Sequence, residues 1–307
     1  MPTVGHSFST DARSIFARQI HASLQIDSGQ YCVCKIGCAS VRSAAGGRGA
    51  AVNQLLFGET AEVVDRRGSW NKIRNSWDNS GGWVKSNQLL SITVDEFLSY
   101  RKNSAITLNL LQPVFGTHHA VPVPIGSLLP TYDGIRFSLG NENYRFSGQA
   151  LLPTETQPTV ELLLRILHRY RYAPELAGGR TPLGIDSGAL AQNIFRMFAT
   201  RLYRQPQTQI RQGKVVSFVQ ESQPGDLAFF DTGKGGVDVG IVVPDRRVVY
   251  IDGYVRTGTL DHEGVFDEVE ENYTRKLRVI RRLLDFAPIP EEIRIETTVA
   301  PSQARLF

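Results

Sequence analysis

The stretch of residues 178–192 constrains the fold of this chain more than any other part of the sequence. It opens with a glycine-rich turn and continues into apolar residues that recur three or four positions apart, namely Leu190, Ile194, Phe195 and Phe198. This spacing predicts a helix with one apolar face. Ser187 lies at or near the start of that helix, where free backbone N–H groups and the helix dipole favour negative charge. The position therefore suits a nucleophile.

Residues 175–192 read Glu-Leu-Ala-Gly-Gly-Arg-Thr-Pro-Leu-Gly-Ile-Asp-Ser-Gly-Ala-Leu-Ala-Gln. This order resembles the signature of the NlpC/P60 cysteine peptidases of bacterial cell-wall metabolism, roughly Tyr-Leu-Trp-Gly-Gly-Arg-x-Pro-x-Gly-Ile-Asp-Cys-Ser-Gly-Phe-x-Gln. The scaffold residues match without a gap. The chemical residues differ, because Ser187 stands where the family has its nucleophilic Cys, and Glu175 and Ala177 replace the Tyr and Trp that line the pocket.

The resemblance implies two further catalytic positions. In the family, a His in a His-Val-Gly-Ile strand takes the thiol proton, and a second His on the next strand orients the first. Here the strand reads Asp-Val-Gly-Ile from Asp238, and Tyr250 aligns with the second His. An aspartate with an ordinary pKa near 4 is a poor acceptor for a serine proton. With Ser187, Asp238 and Tyr250 all altered, we predict a catalytically inactive pseudo-peptidase.

The alternative is an active hydrolase that cleaves cell-wall peptides with Ser187 as an unconventional nucleophile, supported by Asp238 and Tyr250. Two histidines of the region, His168 and His262, offer no clear replacement for the missing imidazole. A purely structural role is also open: Ser187 as a helix N-cap, and Asp238 with Tyr250 as a buried polar pair.

The resemblance also implies a ligand. Family members with two SH3-like barrels cut short cell-wall peptides between D-glutamate and a diamino acid, and two carboxylates hold the peptide's free amine. Asp186 and Glu59 correspond to those carboxylates, although an Asp near a helix start is stabilising without a ligand. The candidate ligand-binding residues are Asp186, Glu59, Glu175, Ser187, Asp238 and Tyr250. Another small amine, or a protein partner bound through the barrels, is the alternative to a cell-wall peptide.

The expected fold class is α+β, with two small SH3-like β-barrels followed by a papain-like NlpC/P60 domain. Short strands with Gly and Asp turns predict the first barrel at residues 30–92, where Leu-Leu-Phe-Gly-Glu and Gly-Trp-Val resemble bacterial SH3 domains. A more divergent barrel is expected at 105–152. The NlpC/P60-like domain at 153–284 contains an amphipathic helix over 159–172 and, after the Ser187 helix, strands over 227–230, 237–243, 248–252 and 273–284. Residues 1–29 form an N-terminal extension with a predicted helix over 12–24, and residues 285–307 form a tail without a clear partner.

Composition narrows the classes of function. The 307 residues are 41% hydrophobic and 21% charged with a net charge of +4, which is ordinary for a globular protein. No dense Lys/Arg run accompanies that charge, so we predict no nucleic-acid binding. No apolar run reaches the length of a membrane span. The first residues do not resemble a secretory signal, which predicts a cytoplasmic protein, or one of the cell envelope if a signal has been removed.

No metal or cofactor is predicted. Cys32, Cys34 and Cys38 could supply three thiolates to a metal, but no fourth ligand stands nearby. We interpret them as partly buried thiols on a strand and the turn after it, with a Cys34–Cys38 disulfide as the alternative in an exported protein. His118 and His119 are assigned to an exposed loop.

Overall fold

The computed structural model describes residues 30–233 and 235–289. The fold is α+β with strands predominating, and every sheet is antiparallel. The predicted helix over residues 12–24 and the tail from residue 290 onward lie outside the described residues. In the described part of the chain, no helix is both long and apolar enough to cross a membrane.

The first unit is a seven-stranded sheet whose first strand begins one residue after the start of the described chain. Its strands are β1 Tyr31–Cys34, β2 Cys38–Arg42, β3 Ala51–Leu56, β4 Thr60–Arg67, β5 Trp70–Asn75, β6 Gly81–Lys85 and β7 Leu89–Ile92, in the order β3-β2-β6-β5-β4-β1-β7. Cys32 and Cys34 lie buried in β1 and belong to the core of this unit. Cys38 begins β2, and all three thiols are free.

The second unit starts with helix α1, Val94–Lys102. A capping box of Thr93 and Glu96 explains its sharp start. The strands that follow are β8 Ser104–Thr107, β9 Leu111–Phe115, β10 Ala120–Pro124, β11 Leu128–Pro130, β12 Arg136–Leu139, β13 Glu142–Arg145 and β14 Ala150–Leu151. They form a four-stranded sheet, β10-β9-β13-β12, and a three-stranded one, β11-β8-β14.

The third unit carries the signature stretch. Its helices are α2 Val160–Tyr170, α3 Ser187–Arg196 and α4 Pro206–Gln209, and a short hairpin of β15 Arg180–Thr181 and β16 Gly184–Ile185 precedes α3. The remaining strands are β17 Lys214–Val216, β18 Leu227–Asp231, β19 Val237–Val243, β20 Arg247–Asp252, β21 Tyr254–Leu260, β22 Gly264–Asp267 and β23 Asn272–Arg282. Strands β18 to β22 pair in sequence, and β23 pairs with both β18 and β22, so six strands close into a barrel with β17 beside β23.

The two faces of β19 explain its near-continuous apolar sequence. Val239 and Ile241 pack in one core with Leu190 of α3, whereas Val242 belongs to the core inside the barrel. A strand buried on both faces shows no polar alternation. The bounds of β19 match the prediction, but β21 and β22 were not predicted, because Arg, Thr and Gly interrupt the apolar residues of β21 and β22 has only four residues.

Residues 285–289 continue the third unit beyond the predicted boundary at residue 284. Ala287 forms a parallel bridge with Thr159, and the ring of Phe286 lies 5.0 Å from that of Phe198, edge to face. This start of the tail therefore has a partner, which the sequence did not indicate.

Candidate active site

Two glycines let the signature stretch approach its neighbours closely. Gly178 has a φ of +74°, and a Cβ built there would lie 2.8 Å from the carbonyl oxygen of Ala51 in β3. A Cβ on Gly188 would lie 2.5 Å from the carbonyl oxygen of Arg204. Both contacts are with backbone, which cannot move aside as a side chain can. The turn and the first turn of α3 are thus fixed against the first unit and against the segment after α3.

Asp186 is the N-cap of α3, and Ser187 is the first helical residue rather than the cap. The carboxylate of Asp186 accepts hydrogen bonds from the backbone N–H of Ala189 and of Gly178, each at 2.9 Å. The Arg204 guanidinium also binds it in a bidentate manner, at 2.7 and 2.6 Å. With four donors already on its two oxygens, Asp186 is occupied as a structural residue. The proposed amine-binding role of Asp186 does not fit this geometry.

The amine-binding role expected for Glu59 does not fit the structure either. Its side chain is 1% exposed, and its oxygens bind Arg180 at 2.7 and 2.9 Å and also Arg196. Burial opposes ionisation, but the two guanidinium groups outweigh it and hold the pKa of Glu59 below its ordinary value. Glu59 is therefore the centre of a buried ionic cluster between the first and third units and presents no free oxygen to a ligand.

Ser187 and Asp238 meet as the resemblance implies. Ser187, which is 6% exposed, donates its hydroxyl to Asp238 Oδ1, and Arg275 Nε lies 3.6 Å from Asp238 Oδ2. Burial is the largest influence on Asp238 and raises its pKa, although Ser187 and Arg275 act in the opposite direction. The negative charge of Glu175 adds to the increase.

Tyr250 does not join this pair. Its hydroxyl points into the barrel, where it donates to Asp267 Oδ2 at 3.0 Å and accepts from Thr274 at 3.2 Å. Burial, with Asp267 beside it, raises the pKa of Tyr250 to about 12. The expected buried pair of Asp238 and Tyr250 is thus not formed, because the Tyr250 hydroxyl is bonded to Asp267 and Thr274 instead.

Asp238, which accepts the hydrogen bond of Ser187, lies close to further charged groups. Glu175 accepts a hydrogen bond from the backbone N–H of Gly253 at 2.9 Å, and its charge influences Asp238. Asp252 Oδ1 binds Arg275 Nη2 at 3.0 Å. Arg275 thus lies between Asp238 and Asp252, and Glu175 adds a third negative charge near Asp238.

No histidine of the described residues is recorded in contact with Ser187 or Asp238. His168 lies in the last turn of α2, and the side chain of His262 is 82% exposed in a loop beside Glu263. Nor do the described residues contain a group of three or more His, Cys, Asp or Glu side chains arranged to hold a metal ion.

Sequence reasoning missed the arginines that determine which carboxylates are free. Arg204 neutralises Asp186, and Arg275 links Asp238 to Asp252. The alternation of Arg with apolar residues along β23 was visible, but it does not reveal which carboxylate each arginine faces.

Comparison with known proteins gives consistent results for the third unit. The sequence model of the NlpC/P60 family matches residues 169–276. A "Probable endopeptidase" of Haemophilus influenzae is 32% identical over 118 residues, which cover 37% of this chain and 71% of that protein. A "Gamma-D-glutamyl-L-lysine dipeptidyl-peptidase" of Bacillus cereus is 25% identical over 227 residues, which cover 64% of this chain and 66% of that protein.

Solved structures extend the similarity of fold to most of the chain. An NlpC/P60 family protein from Bacillus cereus superposes with a TM-score of 0.69 at 18% identity, covering 83% of this chain and all 100% of that one. An NlpC/P60 endopeptidase from Photobacterium damselae subsp. piscicida superposes with a TM-score of 0.64 at 12% identity, over 89% of this chain and 76% of that one.

Proposed function

This chain belongs to the NlpC/P60 family, and from that premise we propose that it is a catalytically inactive member that binds a cell-wall peptide through the peptide's free amine. The observation that carries the proposal is the hydrogen bond from Ser187 to Asp238, which lies near further negative charge. No histidine of the described residues is in contact with this pair. The class of ligand, a cell-wall peptide, is inferred from the similarity of the chain to two peptidases.

Loss of catalysis follows from the chemistry of the three altered positions. A serine hydroxyl needs a neighbouring base to become a nucleophile, and a histidine serves because its pKa lies near neutrality. Asp238 must hold the proton of Ser187 and then deliver it to a leaving amine. Even with a pKa raised by burial, a carboxylate paired with Arg275 is a weak base for that step. Tyr250, with a pKa of about 12 and a hydroxyl committed to Asp267, cannot orient it.

The negative charge around Asp238 supports the binding of an amine. Asp238 and Asp252 pair with one guanidinium and Glu175 adds negative charge near Asp238, so an ammonium group would offset the excess negative charge. Charge-assisted hydrogen bonds between an ammonium and partly buried carboxylates are among the stronger polar contacts in proteins. The amine site thus differs from the expected one, because Asp238 and Glu175 replace Asp186 and Glu59.

Calorimetric titration with L-Ala-γ-D-Glu-L-Lys tests the proposal. The wild-type protein should bind this peptide, and its N-acetylated form should bind at least about tenfold more weakly, since acetylation removes the charge that the carboxylates recognise. Asp238→Asn should weaken binding to a similar extent. Asp231→Asn is the matched control, because Asp231 is an exposed aspartate on the neighbouring strand and pairs with Arg278. Equal binding of the free and acetylated peptides would overturn the proposal.

A weak serine hydrolase is the second candidate. The observation in its favour is the same hydrogen bond: a carboxylate with a raised pKa already accepts a hydrogen bond from the Ser187 hydroxyl. Turnover that disappears in Ser187→Ala would identify this activity.

We also propose that the first two units are SH3-like barrels that position the third. Their short antiparallel strands and separate apolar cores support this assignment. Leu111, Phe115 and Ile135 are 54%, 48% and 64% exposed on the second unit and would suit a protein partner.

A further inference from the structure

A crevice of about 300 Å³ lies where all three units meet, at the C-terminal end of α3. Trp77 comes from the turn between β5 and β6, Arg101 and Lys102 from the end of α1, and Arg196 from the last turn of α3. Since α3 rises ~1.5 Å per residue, this crevice is roughly 13 Å from Ser187. It is separate from the cleft described above and does not depend on the proposed function.

The crevice contains hydrogen-bond donors that lack acceptors. The indole N–H of Trp77 is buried and has no partner. Arg196 is only 7% exposed, and its single recorded hydrogen bond, from Nη1 to Glu59, leaves Nε and Nη2 without a partner among the described residues. The Arg196 guanidinium lies 5.1 Å from the centre of the Trp77 ring. The Trp77 N–H is sealed from water, so Arg196 Nε and Nη2 are the donors that can reach a molecule in the crevice.

The other polar groups of the crevice are already satisfied. The hydroxyls of Thr60 and Ser76 bind each other at 2.6 Å, and Ser104 donates to the backbone oxygen of Tyr100 at 2.6 Å. No carboxylate belongs to the lining, and Arg101 and Lys102 add exposed positive charge at its edge. Acceptors and negative charge are therefore what the crevice lacks.

We propose that this crevice binds a small carboxylic acid anion with a compact apolar or aromatic body. The carboxylate accepts from Arg196 and lies beside the Trp77 ring, while Arg101 and Lys102 attract it electrostatically. Ile106, Leu128 and Leu152 line the remainder and take up the apolar body. An inorganic phosphate fits less well, because the apolar part of the lining cannot solvate a second negative charge.

Indole N–H resonances provide a direct test with the full-length protein. The chain has three tryptophans, so a ¹⁵N correlation spectrum shows three indole signals, and Trp77→Phe identifies the one from Trp77. Titration with 3-phenylpropionate should shift this signal saturably. Its uncharged amide, 3-phenylpropanamide, and inorganic phosphate should shift it little. The same response to acid and amide, or no response to the acid at millimolar concentration, would overturn the proposal.

Charge variants test the same site without disturbing its core. Lys102→Gln should weaken 3-phenylpropionate binding by about three- to fivefold, as expected for an exposed charge. Lys85→Gln is the control, because Lys85 is an exposed lysine over the ring of another tryptophan, Trp70. If both variants bind as the wild type does, the assigned charge recognition is incorrect.

Discussion

Asp238 is the residue at which burial and charge compete most directly. It accepts a hydrogen bond from the Ser187 hydroxyl and faces Arg275, yet removal from water dominates and raises its pKa. A carboxylate in such a position costs stability when it is ionised, which suggests that it is retained for binding rather than for folding.

The pH dependence of stability tests this description of Asp238. Because its pKa is raised above the ordinary 3.8, the folded protein binds the proton more tightly than the unfolded chain. The free energy of unfolding contributed by Asp238 therefore falls as pH rises from the ordinary pKa through the raised one. Asp238→Asn keeps an acceptor for Ser187 and removes the charge, so it should raise the free energy of unfolding at pH 8 by about 1 kcal/mol.

Denaturant unfolding of Asp238→Asn at several pH values measures this effect. The gain should shrink toward zero as pH approaches 4, and the exposed control Asp231→Asn should show no such trend. A variant that is less stable than the wild type at pH 8 would contradict the assignment of burial as the dominant influence.

At the residue scale, the sequence predicted the alignment of the site but not its charge balance. Ser187 and Asp238 meet because their positions in a helix and a strand follow from local patterns. The occupation of Asp186 by Arg204, and of Glu59 by Arg180, depends on contacts between residues far apart in the chain. No periodicity or spacing contains that information.

At the element scale, α3 is fixed at its N-terminus by one carboxylate with two tasks. Asp186 caps the helix and also neutralises Arg204, whose side chain is 3% exposed. Thr159 caps α2 through a single hydrogen bond to the N–H of Leu162 at 3.2 Å and has no ionic partner among its recorded contacts. A comparison of the two helices therefore shows how much an N-cap alone adds to stability and how much a salt bridge adds to it.

Alanine substitutions at the two caps should differ in cost. Thr159→Ala should lower the free energy of unfolding by about 1 kcal/mol, the usual value for an N-cap. Asp186→Ala should cost roughly 2 kcal/mol more than that, because it also leaves a buried arginine unpaired. Denaturant midpoints of both variants measure the difference. Equal costs would show that the Arg204 contact contributes nothing to stability.

Elements whose apolar residues recur at a regular spacing were predicted well, and elements with few apolar residues were not. Helix α2 and strand β19 follow from apolar spacing and were found near their predicted bounds. Strands β21 and β22 close the barrel with few apolar residues, since both are held by pairing with their neighbours. Pairing partners are not visible in a single sequence.

At the scale of the whole molecule, the first and third units are joined through polar contacts. Besides the Glu59 cluster, Gln192 of α3 donates to Asp78 at 2.8 Å, and the Arg180 N–H donates to Gln54 at 2.7 Å. Sequence analysis described the units as consecutive domains. The structure shows that residues of the first unit complete the buried surroundings of α3.

Glutamine substitutions in the first sheet test how far this joint stabilises the molecule. Glu59→Gln removes the carboxylate that pairs directly with Arg180 and Arg196 and should cost about 3–5 kcal/mol. The control is Glu62→Gln in the same sheet, whose partner Arg74 is 56% exposed, and it should cost less than about 1 kcal/mol.

Tryptophan fluorescence and far-UV circular dichroism report the unfolding of these variants. Trp70, Trp77 and Trp83 all lie in the first unit, so fluorescence follows that unit while circular dichroism follows the whole chain. A similar small cost for both variants would show that the buried cluster does not join the units energetically.

The most direct test of the account is peptide cleavage measured by mass spectrometry. Purified protein is incubated with L-Ala-γ-D-Glu-diaminopimelate beside the variants Ser187→Ala and Ser187→Cys. The account predicts that the peptide remains intact with all three proteins, since neither Asp238 nor Tyr250 replaces the missing histidines. Cleavage by the wild type that is abolished in Ser187→Ala would contradict it and identify Ser187 as a working nucleophile.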